Sequence, residues 1–395
     1  MRLSLLTREY PPHIYGGAGV HVGQLAKHLG PLCDLVDVQC MGQPRPGATA
    51  HAETYPEGAN AALRVLGTDV AMAAAVPEVD LVHSHTWYAN LAGLMAGKFR
   101  SVPHVVTSHS LEPHRPWKAE QLGGGYNLSL WAERTAFLDA SAVIAVSAGM
   151  RRDVLASYDD LDPARVHVVH NGVDTEEFQP DPALDQLLQW GIDPQRPLVV
   201  FVGRVTRQKG LVHLLRAAQR FDPETQLLLL AGAPDTPQIA EQFEHAFGHL
   251  SQTRPGVVWI EQMVSRTALR QALTQATVFA CPSIYEPLGI VNLEAMACQA
   301  AVVASAVGGI PEVVEDGQTG LLVPYDQAQA DDPAYLAGFE EAFAQSVNRL
   351  TRDQELAQRL GQAGRRRCLD HFAWPQIARQ TVAVYEQAMA DFAGR

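Results

Sequence analysis

The chain has 395 residues, 47% hydrophobic and 18% charged, with a formal net charge of −13. That length exceeds what one hydrophobic core normally serves, so two domains are expected, and the apolar content excludes disorder. An acidic surface excludes broad nucleic-acid binding, whereas a small anionic ligand needs only local positive charge. The five cysteines (33, 40, 281, 298 and 368) are scattered and show no C-x-x-C pair, which fits reduced thiols rather than a disulfide frame or a zinc site. Arg8 and Glu9 interrupt the apolar start, leaving it too short for a signal peptide. No run approaches the roughly 18 apolar residues of a membrane span. A cytoplasmic protein with no membrane partner is expected.

Leu3 to Leu6 reads as a buried strand that runs into TREYPPHIYGGAGVHVGQLAKHLG. Gly16 and Gly17 open the loop, and Val20 to Leu29 carries helical spacing. A glycine loop between a first strand and a first helix lets backbone N–H groups approach an anion. A tight strand-to-helix turn explains the same residues equally well. The segment lacks G-x-G-x-x-G, which disfavours a nicotinamide enzyme. Strand-like Leu35 to Cys40 and Val79 to Val82 follow, separated by a Pro/Gly-rich loop from Gly42 to Gly58. The second ends in HSHTWYAN, placing His83 and His85 near the carboxyl edge of the sheet. His-x-His is half of a metal set, but no carboxylate or cysteine completes it locally, so hydrogen bonding or packing is preferred. His104 to Thr107 then leads into a long polar and aromatic connection with His109, Lys118 and Tyr126. A further strand follows at Ala142 to Val146. Connections of that length are usually functional or mobile.

After Val166 to Val169 a loop-rich linker lies roughly between Gly172 and Arg196. At Pro197 the pattern of strand, glycine turn and helix restarts with LVVFVG, RVTRQKG and GLVHLLRAAQRF. More strands are expected at Gln226–Ala231, Val257–Ile260, Thr277–Cys281, Ala301–Ala304 and Gly320–Val323. Two α/β halves of similar size result, and a cleft between two such halves is a natural ligand site. Arg204 and Lys209 sit beside a glycine at a strand end, a pairing suited to a diphosphate, with Arg207 left to face solvent. Glu286, between Tyr285 and Pro287, occupies a loop, and Glu294 lies in the following helix. Were 286 to 294 mostly helical, the two carboxylates would stand roughly 12 Å apart, about the reach from a hexose across a diphosphate to a ribose. A helix starting near Pro287, Leu288 and Gly289 would add free N–H groups. Leu356 to Leu369 and the stretch after Trp374-Pro375 read as closing helices, the last able to cross back onto the first half.

The segments YGGAGVHV, TSHSLE, VGRVTRQKG, PSIYEPLGIVNLEAMAC and SAVGGIPEVVEDGQTGLLV resemble those of retaining glycosyltransferases with the GT-B fold, across nearly the whole chain. EYPPHIYGGAGVHV with HSLEPHRPWKAEQLGGGY is similar to a narrower group, the short glycogen synthases of actinobacterial type, also described as maltose-1-phosphate synthases. The resemblance implies two Rossmann-like domains facing across a cleft. Residues 1–175 with the terminal helix 374–395 would form the acceptor domain, and 176–373 the donor domain.

It also implies roles. Gly16 and Gly17 would lie near the donor phosphates or sugar, and His109 near the donor hexose. Arg204 and Lys209 would neutralise the diphosphate, as catalytic groups with His109 and Glu286. Tyr285, Glu286 and the backbone of Leu288, Gly289 and Ile290 would hold the hexose, Glu294 the ribose, and Gln262, Met263 and Val264 the base. Candidate acceptor residues are His85, Lys118, Tyr126 and Arg134, with Lys118 and Arg134 for an acceptor phosphate.

The implied reaction is α-1,4-glucosyl transfer from ADP-glucose to glucose 1-phosphate or an α-glucan end, without a metal or other cofactor. The alternative is transfer of mannose or N-acetylglucosamine from a UDP- or GDP-sugar. A homodimer stays open. The longer starch synthases carry a lysine just before the glycine pair; Tyr15 stands there, which points away from that class.

Overall fold

The computed structural model describes residues 1–53 and 58–394. The chain divides into two units, Met1–Gly172 with Trp374–Arg395, and Val173–Ala373.

The first unit is built on seven parallel strands: β1 (Arg2–Thr7), β2 (Leu35–Met41), β3 (Thr49–His51), β4 (Leu81–His85), β5 (His104–Ser108), β6 (Ala142–Ala145) and β7 (Val166–Val168). Their order is β3-β2-β1-β4-β5-β6-β7, with Leu3 level with Val36 on one side and Leu81 on the other. The run Leu3 to Leu6 is wholly buried because helices cover both faces of a parallel sheet. The Pro/Gly-rich connection after β2 is more structured than its composition suggests: Thr49–His51 pairs in parallel with Gln39–Met41 and adds an edge strand. The long connection after β5 also holds a helix, Gly125–Asp139, whose buried face is Ser129, Ala132, Glu133, Ala136 and Phe137. Three of those five are apolar, so the periodic signal in the sequence is weak.

The terminal helix, Trp374–Ala393, belongs to this first unit. Its Trp374, Ile377, Tyr385 and Ala388 join a core made by Leu3, Leu5, Val22, Leu25, Leu81 and Val105. Tyr385 Oη lies 2.6 Å from His83 Nδ1, and the other ring nitrogen of His83 is 2.7 Å from Thr107 Oγ1. Thus His83 is a structural brace between the last helix and the sheet.

The second unit has six parallel strands: β8 (Leu198–Arg204), β9 (Gln226–Gly232), β10 (Val257–Ile260), β11 (Val278–Cys281), β12 (Ala301–Ser305) and β13 (Gly320–Val323). Their order is β10-β9-β8-β11-β12-β13. The core combines Val199, Phe201, Leu227, Leu229, Val278 and Val303 with Leu214, Phe243, Phe343 and Val347 from the helices. In both units the order reverses beside the first strand, so the loops after β1 and β4, and after β8 and β11, flank a switch point. That is where open parallel sheets take ligands. The described residues include no helix long and apolar enough to cross a membrane, and all five cysteines are free thiols.

Candidate active site

In the second unit the loops after neighbouring strands β8 and β11 are stitched together through backbone. Ile284 N–H donates to the Gln208 carbonyl at 2.9 Å. Gly210 has φ of +62°, and a Cβ there would stand 2.0 Å from the Pro282 carbonyl oxygen. Only glycine lets the chain pass at that distance. Glu286 is fixed in the same way from the other side. Its carbonyl accepts from Gly309 N–H at 3.0 Å, and a Cβ on Gly308 (φ +54°) would reach to 2.0 Å of that oxygen.

On this frame Lys209 Nζ sits 2.6 Å from Glu286 Oε2, which also accepts from Ser283 Oγ at 3.2 Å. Burial alone would lower the Lys209 ammonium, but the Glu286 carboxylate outweighs it, and the net shift is upward. Lys209 is therefore a fixed cation at neutral pH, in a largely buried setting where charge acts strongly. Arg204 ends β8 and reaches Asp235 at 3.3 Å. Asp235 lies in the loop after β9, a partner that the sequence did not reveal. Arg207 is exposed, as expected.

The helix after Glu286 is Ile290–Ala297, capped by Gly289 at φ +96°. It begins later than the sequence suggested because the backbone turns left-handed at Gly289. The helical estimate of the Glu286–Glu294 spacing therefore does not hold, since residues 286 to 289 are loop. Leu288 is buried, so only its backbone is offered. Glu294 is 7% exposed, 3.5 Å from an Arg266 guanidinium nitrogen. Burial pushes its carboxyl up to about 7, with Arg266 pulling the other way. Asn292, two residues earlier, is wholly buried with both amide atoms unpaired among the described residues. Gln262, Met263 and Val264 follow edge strand β10, and Met263 is 91% exposed.

In the first unit Gly16 caps the helix Gly17–Leu29, and the N–H groups just before that helix are taken up within the chain. The Glu9 carboxylate accepts from Tyr15 N–H at 2.7 Å and Gly16 N–H at 2.8 Å. The glycine loop thus carries its own anion: a chain carboxylate within reach satisfies the Gly16 N–H.

At the ends of β4 and β5, His85 Nδ1 lies 3.0 Å from His109 Nε2. His21, from the first helix, packs its ring 4.6 Å from that of His109. One nitrogen from each of the three falls within 4.8 Å of the others, a set chemically competent to seat a transition metal. The sequence showed His85 without a third ligand because His21 arrives from another strand-helix unit. Burial first, then the neighbouring imidazoles, holds His85 and His109 well below the usual histidine range, and burial lowers His21 to about 4. All three are neutral at pH 7, each able to donate or accept one hydrogen bond.

The acceptor candidates separate. Lys118 is buried, 3.6 Å from Glu112 and 3.4 Å from Tyr88 Oη. Tyr126 spends its hydroxyl on the Glu112 carbonyl at 2.7 Å and supports the loop. Arg134 is not brought to Lys118: it pairs with Asp160 at 2.6 Å and lines a shallow groove with Leu94, Met95, Phe99 and Asp139. As a helical neighbour of buried Glu133 it is turned outward. Arg8, at the end of β1, was missed; its guanidinium lies 4.2 Å above the Tyr88 ring.

Two Rossmann-like parallel sheets, each with a switch point beside its first strand, form the architecture of the GT-B fold, and the relatives make the class a glycosyltransferase. Family models described as "Glycosyltransferase Family 4" and "Glycosyl transferases group 1" match residues 15–177 and 185–367. The sucrose-phosphate synthase of Thermosynechococcus elongatus aligns with a TM-score of 0.77 at 25% identity, covering 99% of this chain and 100% of that one. The alpha-maltose-1-phosphate synthases of Mycolicibacterium smegmatis and Mycobacterium tuberculosis are 56% and 55% identical over 394 residues, 99% of this chain and 100% of each. The chain belongs to their glycosyltransferase family.

Proposed function

We propose that the protein is a retaining α-1,4-glucosyltransferase that moves glucose from ADP-glucose to glucose 1-phosphate, giving maltose 1-phosphate, or to an α-glucan end, in glycogen or α-glucan synthesis. The observation that carries this reading is the fixed Lys209–Glu286 pair at the β8–β11 edge, in a chain 56% identical to an alpha-maltose-1-phosphate synthase. A departing nucleoside diphosphate gains negative charge, and cations held in place before the reaction stabilise it without reorganisation. Lys209 and Arg204 take that role. For Arg204 it means exchanging Asp235 for phosphate oxygens, and a bidentate guanidinium suits both partners.

Glu286 accepts from hexose hydroxyls and Glu294 from the ribose. The free N–H groups of the helix starting at Ile290 add a favourable dipole of roughly 0.3–1 kcal/mol toward an anion. His109, held by His85, offers a neutral ring nitrogen to a sugar hydroxyl. The chemistry asks for no metal or organic cofactor, so turnover is expected to persist in a chelator. The free thiols fit a cytoplasmic setting.

Product analysis tests the reading. ADP-glucose mixed with glucose 1-phosphate is expected to yield ADP and maltose 1-phosphate, and glycogen serves as the second acceptor. Silence with ADP-glucose beside good turnover of a UDP- or GDP-sugar would replace the donor assignment.

A further inference from the structure

The ends of three adjacent strands, β1, β4 and β5, each contribute to one cluster in the first unit. Arg8 follows β1, Tyr88 follows β4, and Glu112, Arg115 and Lys118 follow β5. Arg8 lies over one face of the Tyr88 ring, with Lys118 Nζ 5.3 Å from its centroid and 3.4 Å from its hydroxyl. Glu112, fully buried, stands 3.6 Å from Lys118 and 3.8 Å from Arg115. Neither ion pair is closed to hydrogen-bonding distance. Two cations thus face one carboxylate and a third joins them through the Tyr88 ring, where Arg8 is exposed with no ion pair among the described residues. Among the described residues the only direct side-chain bond that Arg115 makes is to Ser110 Oγ, at 3.2 Å.

Resting on the glucosyltransfer reading above, we infer that Arg8, Lys118 and Arg115 bind the phosphate of a phosphosugar acceptor, with Tyr88 as the platform that positions two of them. A phosphomonoester dianion supplies what this cluster lacks, two negative charges and three strong acceptor oxygens, and Arg forks match it. An uncharged glucan end leaves the cations uncompensated, so the cluster favours a phosphorylated acceptor over a polymer. The carboxyl of Glu133 beneath Glu112 is pushed up to about 8, chiefly by burial, so it adds little opposing charge at neutral pH.

Steady-state kinetics of Arg8→Gln and Lys118→Met test the site. KM for glucose 1-phosphate is expected to rise about 10- to 100-fold in each, the loss of one hydrogen-bonded charge, while KM for ADP-glucose stays where it was. Arg8→Lys is expected to recover part of the loss. Because Arg8 is exposed, its variant reports on binding with no packing loss beyond its contact with the Tyr88 ring. An unchanged KM for glucose 1-phosphate in Arg8→Gln, or a parallel rise in both KM values, overturns the proposal. If the wild type makes no maltose 1-phosphate, transfer to glucose 1-phosphate fails by itself. The site is then judged by calorimetry with orthophosphate and glucose 1-phosphate alone: binding that Arg8→Gln abolishes upholds it, and no binding to the wild type ends it.

Discussion

The two units place cations at the carboxyl edge of a parallel sheet in different ways. In the second unit Lys209 and Glu286 stand 2.6 Å apart on loops clamped backbone to backbone at Gly210 and Gly308. In the first, Lys118 and Arg115 stand 3.6 and 3.8 Å from Glu112, on a short turn and a five-residue helix. That loop is braced by side chains: Ser129 donates to Glu112 at 2.7 Å, and Glu133 accepts from Glu112 N–H and from Tyr158 Oη. A site clamped by backbone has one shape ready for a ligand common to many enzymes. A site braced by side chains can change with the acceptor while the sheet stays as it is.

The largest effect that separates the two is expected from acidity beneath the first site. The Glu133 carboxyl titrates at about 8 in the fold against about 4.5 unfolded, so between those values the unfolded chain releases a proton that the folded chain keeps. Stability therefore falls as pH rises from about 4.5 to 8, by roughly 3–5 kcal/mol in total. Glu133→Gln keeps the accepting oxygen and is expected to flatten this slope; denaturant melts across that range measure it, and an equal slope in both proteins removes the brace from the argument.

Lys209→Ala comes next. Loss of one stabiliser of the leaving charge is expected to lower kcat about 10²- to 10³-fold, or about 3–4 kcal/mol, with the fold intact by circular dichroism. Undiminished turnover would refute the cationic role of the second unit.

Gly210→Ala probes the backbone clamp. A left-handed alanine that meets the Pro282 carbonyl is expected to cost about 2–3 kcal/mol, whereas Gly124→Ala, at a helix start with no atom within 4 Å, leaves Tm unchanged or slightly higher. Equal Tm changes at the two glycines would show that the clamp is not rigid. The smallest effect is at Glu294, whose carboxyl titrates near 7. As pH drops through that value it loses half its accepting capacity, so KM for ADP-glucose is expected to rise below pH 7. Glu294→Gln is expected to raise KM about tenfold, the worth of one hydrogen bond to a charged group, and to remove the pH dependence.

The same contrast governs what could be read from the chain itself. Glu286, Glu294 and the glycines around them lie in one continuous stretch, so strand, loop and helix could be placed from local pattern alone. Lys209 was legible because its loop repeats that pattern, and the two α/β halves were legible from apolar runs that recur with glycine turns. Arg8, His21 and Asp235 gave no signal, because each meets its partner only once strands distant in sequence become neighbours. Arg8 lies 80 residues from Tyr88, and His21 lies 88 from His109. Glu9 escaped notice for a simpler reason: a carboxylate seven residues before a glycine loop reveals nothing until the loop curls back over it.

The return of Trp374–Ala393 to the first unit sets an order of events during synthesis. Residues 173–373 leave the ribosome as an uninterrupted segment with every strand of their sheet, so that segment is complete before residue 374 is added. The unit made first must wait for residues 374–393, with Leu3, Val22 and the His83 ring short of part of their packing until Trp374 and Tyr385 emerge. A fragment stopped at Gly172 would carry the whole seven-stranded sheet and still lack part of its interior, and supplying residues 374–394 as a separate peptide is the direct way to complete it.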